Sequence, residues 1–166
     1  MRKLLILGFL LAPSVALAAM AEEPVWDFVP SSGALIYGIP FTDAVGVTIT
    51  CASEPKTYEI ATPMAAEGGT MKDGVWTITL QVETDEGMKS FTLTGKREYV
   101  EDEMNDPHHT AILKVSKDSD FIHAIDIGKR LINPATKESI PLTNIFHERG
   151  HLEGYCSEIS GWDGSE

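Results

Sequence analysis

Apolar and polar residues alternate one for one along several stretches of this chain. Val45, Val47, Ile49 and Cys51 share one parity, with Gly46, Thr48 and Thr50 between them. That period of two predicts a strand with one buried face, and it points Cys51 into a core. The segment from Val75 to Glu83 repeats the pattern, with Trp76, Ile78, Leu80 and Val82 on one side and threonines opposite. Asp85-Glu86-Gly87 is a turn signal, and Lys89 to Gly95 resumes with Phe91 and Leu93 inward, which predicts a hairpin. Thr110 to Ser116 reads as a further strand through Ala111, Leu113 and Val115. Shorter candidates cover Trp26–Val29, Leu35–Ile39, Thr57–Ala61, Arg97–Val100 and Arg130–Asn133. Prolines and glycine-bearing turns punctuate the gaps. Many short strands with turns between them suggest a sandwich or a barrel, and the fold expected is an all-β sandwich of about eight or nine antiparallel strands.

Two segments carry a helical period instead. The triplet Asp118-Ser119-Asp120 is placed to cap a short turn holding Phe121, Ile122 and Ile125, which Gly128 would close. After Pro141, the residues Leu142, Ile145, Phe146, Leu152 and Cys156 fall on one helical face. The fold expected is therefore a sandwich with one or two short helices, the C-terminal one packed on the sheet.

The first residues change the picture. Met1-Arg2-Lys3 is a positive start, Leu4 to Leu11 an apolar core, and Ala16-Leu17-Ala18 a small-residue exit. This reads as a signal peptide over 1–18, with Ala19-Met20-Ala21 allowing cleavage as late as 21. What remains, 19–166, is the size of one domain, with no expected membrane span. Without Arg2 and Lys3, eleven Lys and Arg face 25 Asp and Glu, a net charge of −14. Such a surface repels phosphate backbones, so nucleic acid is not an expected partner. Export also places Cys51 and Cys156 where thiols oxidise, and an intramolecular bridge is their simplest pairing.

The order of these features resembles that of small exported proteobacterial β-rich proteins of unknown function. The residues that carry the likeness are Thr48-Ile49-Thr50-Cys51, then Phe121-Ile122-His123-Ala124-Ile125 with Gly128, then Ile140-Pro141-Leu142 through Cys156. A fainter likeness in layout is to the invasion-associated protein B family. The resemblance implies a periplasmic β-sandwich with a terminal helix and no established catalytic role.

One motif points to different chemistry. His147-Glu148-Arg149-Gly150-His151 matches H-E-x-x-H on the expected helix. Histidines four apart lie one turn apart on the same side, so both can reach one zinc ion, with Glu148 placed to polarise a bound water. Gly154 extends the match, but the third-ligand position holds Ser157, leaving Glu153, Glu158 or Asp163 to substitute. At 100° per residue, Arg149 falls at about 40° from Ile145, on the apolar face, and the histidines at about 200–240°, away from it. A guanidinium on an apolar face must snorkel or find a partner. A second cluster, Glu98, Glu101, Asp102, Glu103, Asp106, His108 and His109, contains metal-binding residue types without the spacing of a calcium loop. His108 or His109 would complete a zinc site if the fold brought the two clusters together. The expectation is a periplasmic, non-catalytic protein that binds a partner protein or envelope component, with no cofactor. The alternative is a zinc-dependent hydrolase or zinc-binding protein using His147, Glu148 and His151.

Overall fold

A computed structural model describes residues 23–39, 45–102 and 105–160, the side chains of 102, 105, 106 and 160 excepted. The residues expected to form a signal peptide, Glu103, Trp162 and the tail from Asp163 lie outside the described residues, as does the side chain of Asp106. The strands are β1 (Val25–Val29), β2 (Ala34–Gly38), β3 (Val45–Cys51), β4 (Thr57–Thr62), β5 (Thr70–Lys72), β6 (Val75–Thr84), β7 (Gly87–Asp102) and β8 (Asn105–Ser116). Helix α1 (Asp120–Ile127), strands β9 (Arg130–Ile132) and β10 (Ser139–Pro141), and helix α2 (Ile145–Ser160) complete the chain.

Every strand pairs antiparallel with its neighbours, and all ten belong to one sheet. The path runs β1-β2-β3-β4-β8-β7-β6-β9-β10, with β5 attached to β6. The sheet curls until its two ends nearly meet. The Trp26 indole N–H on β1 donates to the Pro141 carbonyl on β10 at 2.8 Å.

The expected sandwich is thus corrected to a single curled sheet. Val47 and Ile49 of β3, Tyr58 and Ile60 of β4, Trp76, Ile78, Leu80 and Val82 of β6, and Leu113 and Val115 of β8 all bury their side chains. In a sandwich a second sheet would cover that face. Here Phe121, Ile122, Ala124 and Ile125 of α1, with Ile145, Leu152 and Cys156 of α2, do so. Alternation specifies that a strand has one dry face, and either cover satisfies it. The outward face keeps Thr79 opposite Thr92 and Gln81 opposite Ser90.

The hairpin predicted at Asp85-Glu86-Gly87 joins β6 to β7, with Thr84 opposite Gly87. The two stretches expected at Lys89–Gly95 and Arg97–Val100 are one strand, β7. Gly95 does not break it. A Cβ there would lie 2.0 Å from the Ile112 carbonyl oxygen, so only glycine lets β7 and β8 approach this closely. Of the expected capping triplet Asp118-Ser119-Asp120, Ser119 is the residue that caps α1, its hydroxyl accepting from the Ile122 N–H at 3.3 Å, and Gly128 follows the last turn.

Phe146 departs from the expectation. Helix α2 begins at Ile145, so Phe146 sits at the margin of its buried face and is 64% exposed. A Cys51–Cys156 disulfide joins the end of β3 to α2, with 5.7 Å between the Cα atoms. The Tyr155 ring lies over the β1–β2 turn. Gly33 there has φ +60°, and an added Cβ would meet the ring at 2.2 Å.

Candidate functional site

Helix α2 carries the H-E-x-x-H match, and its orientation is fixed by the residue inside the motif, Arg149. The guanidinium points inward, as its position on the apolar face implies, and it meets a partner that removes the conflict. Nε and Nη2 donate to the two carboxylate oxygens of Asp126 on α1, each at 2.7 Å. Nη1 donates to the Tyr58 hydroxyl at 3.2 Å and to Glu153 at 3.0 Å. The Arg149 and Asp126 side chains are only 11% and 9% exposed. Lys117 extends the network, donating to the other oxygen of Glu153 at 2.7 Å.

The protonation states follow from these contacts. Burial works against the Arg149 charge, but its bonds to Asp126 and Tyr58 and the Asp126 charge outweigh that, so its pKa is raised. Burial raises the Tyr58 phenol as well, against the opposing pull of Arg149. The hydrogen bond from Lys117 holds the Glu153 carboxyl below its usual range, and the same bond raises Lys117.

With Arg149 turned in, His147 and His151 face out. Both are exposed, and their ring centroids lie 4.9 Å apart with the planes nearly perpendicular. His151 stacks on Phe28 of β1 at 6.3 Å, with planes 18° apart, and Phe28 in turn contacts Tyr155 at 6.0 Å. The imidazole pair is therefore braced from beneath and open above. Glu148 is half-buried on the same helix.

The residues proposed to complete a zinc site are not brought to this pair. Glu153 is committed to Lys117 and Arg149. The Ser157 hydroxyl donates to the Glu153 carbonyl at 3.0 Å, and Glu158 is exposed. Asp163 lies outside the described residues. His108 and His109 are adjacent on β8, so their side chains take opposite faces, and the His109 ring packs on Tyr99 at 5.3 Å. They also lie at the wrong end of the sheet. Arg149 meets Tyr58, whose strand partner is Val115, six residues along β8 from His109 and so about 20 Å away at strand rise. Among the described residues, no three His, Cys, Asp or Glu side chains are grouped to hold one ion.

That far end of the sheet has a feature that local sequence patterns did not reveal. Pairing of β6 with β7 ends at Trp76–Gly95, and pairing of β4 with β8 ends at Thr62–Ala111. Strands β7 and β8 continue without them, pairing from Glu98–Thr110 to Asp102–Asn105. The result is a two-stranded ribbon projecting beyond the sheet. Arg97 anchors its base, with Nε donating to the Ala66 carbonyl at 2.7 Å and the guanidinium 5.4 Å from the Trp76 ring centre. Tyr99, farther out, is 59% exposed. Long-range register alone distinguishes such a ribbon from two further sheet strands, so nothing local in the sequence marks it.

Comparison with protein-family models, curated proteins and solved structures finds no match for this chain. Among the described residues, no helix is long and apolar enough to cross a membrane.

Proposed function

We propose that this chain is an exported, non-catalytic protein of the periplasm that docks a partner protein through the β7–β8 ribbon. The observation that carries the reading is the ribbon itself. A two-stranded ribbon without flanking strands is marginally stable, so extending one from a well-packed sheet adds little to the fold and offers both edges to a partner. The ribbon sequence carries Glu98, Glu101, Asp102, Glu103 and Asp106, so the complementary partner surface is rich in Lys and Arg. The Cys51–Cys156 disulfide fits an oxidising compartment.

The test replaces 99–109 by an Asn-Gly turn, so that Glu98 still pairs with Thr110 and the β6–β7, β7–β8 and β4–β8 registers stay intact. Wild type and variant, matched by circular dichroism, are used to capture partners from the periplasmic extract of the native host. The expected result is a partner that binds wild type alone and is released as salt rises. The same partner bound equally by the ribbonless variant would overturn the reading.

A zinc-dependent hydrolase is the second reading, favoured by the 4.9 Å approach of the His147 and His151 rings with Glu148 between them in sequence. It requires peptide or ester hydrolysis with added zinc that Glu148→Gln abolishes while metal stays bound.

A further inference from the structure

The imidazole pair on α2 has three properties that together point to an ion shared between chains. First, its spacing suits a chelate. A zinc–nitrogen bond of about 2.1 Å puts the ion about 3.2 Å from each ring centre, and a tetrahedral angle then separates the two centres by about 5 Å. The observed separation is 4.9 Å. Second, one ring of the pair is braced. Phe28 lies beside the His151 ring, with planes 18° apart and centres 6.3 Å apart, so that ring loses less motion when an ion binds. Third, the approach is clear. Gly150 and Gly154 occupy the helix surface beside the histidines, and a Cβ built on either meets nothing within 4 Å. Each glycine inside a helix costs about 1 kcal/mol relative to alanine, so this bare surface is kept at some expense to the helix.

Two imidazoles fill half of a tetrahedral shell, and among the described residues this chain supplies no further donor at that place. A twofold axis through the ion would supply the other half from the same two residues of a second copy. Net charge opposes pairing without an ion. Each expected mature chain carries −14, so two copies repel, and a divalent cation at the junction offsets that locally.

We propose that His147 and His151 form half of a transition-metal site, of the kind zinc occupies, which a second copy of this chain completes. The site is independent of the ribbon and needs no hydrolytic role for Glu148.

The experiment uses the untagged mature protein at neutral pH, followed by sedimentation velocity during a titration with zinc chloride. A monomer should become a dimer holding one zinc per two chains, and excess EDTA should reverse the change. Cobalt in place of zinc should give the visible absorption of a tetrahedral, all-nitrogen site. His147→Ala with His151→Ala should lose the dimer and the cobalt spectrum while keeping the wild-type circular dichroism spectrum, since both rings are exposed. His108→Ala with His109→Ala should keep both signals. One zinc per chain without dimerisation, no uptake, or a zinc-induced dimer that survives the His147/His151 double replacement would each overturn the proposal. So would loss of the site in the His108/His109 variant.

Discussion

Replacing Asp126 with alanine removes two 2.7 Å hydrogen bonds from a guanidinium that is only 11% exposed. Stranding a buried charge in this way costs about 3–5 kcal/mol. Glu153 remains within 3.0 Å of Nη1 and is more open to water, which brings the expected loss to the lower end, about 3 kcal/mol. The companion variant removes both charges, with Asp126→Leu and Arg149→Met. No ion is then stranded, and the main residual cost is the Tyr58 hydroxyl's lost bond to Arg149, about 1 kcal/mol. Urea unfolding at neutral pH with the disulfide intact measures both. The single replacement should therefore be the less stable by about 2 kcal/mol. A single-variant loss under about 1 kcal/mol, or a double variant as unstable as the single one, would refute the argument that Arg149 is a buried clamp on α2.

Three further outcomes are expected. The Glu153 carboxyl is held below its usual 4.5, so its contribution is present above about pH 4.5 and fades as pH falls through the lowered value. Lys117 is raised above 10.5, so its contribution is present below about pH 10.5 and fades as pH rises through the raised value. Melting temperatures of wild type and Glu153→Gln should therefore differ most between about pH 5 and 10 and converge at both extremes, and a pH-independent gap would contradict this. Cys51→Ala with Cys156→Ala opens a 105-residue crosslink and should cost up to about 4–5 kcal/mol in urea unfolding, whereas a loss below about 1 kcal/mol would show that the clamp is redundant. Gly95→Ala drives a methyl group into the Ile112 carbonyl and should lower stability by about 1–3 kcal/mol, which a neutral thermal melt would disprove.

What the sequence revealed about the fold was local. Val45–Cys51, Val75–Glu83 and the Asp85–Gly87 turn were legible because one residue's face decides the next. Ser119 and Gly128 bracketed α1 because capping is settled within a few residues. Strand neighbours are decided by contacts far apart in sequence, such as Gln81–Ile132 and Glu59–Lys114, so a curled sheet read as a sandwich. The three-residue strands β5 and β10 are too short to show a period and were missed. At the candidate site, Arg149 on an apolar face announced that it needed a partner, but not that Asp126 would be that partner. The outward turn of His147 and His151 was legible from the same helical angle. Phe28 and Tyr155 beneath them were not, because a β1 residue meets α2 only once the sheet has curled.

The crosslink between residues 51 and 156 also sets an order of events. A chain is made from its N-terminus, so the first cysteine emerges 105 residues ahead of its mate. At roughly 5–20 residues per second, that is about 5–20 s during which a lone thiol stands open to exchange with disulfides of other molecules. Nearly the whole ten-stranded sheet must be present before the correct bond can close. Correct pairing is therefore a late step, and mixed disulfides are the expected by-product whenever the chain stalls before Cys156.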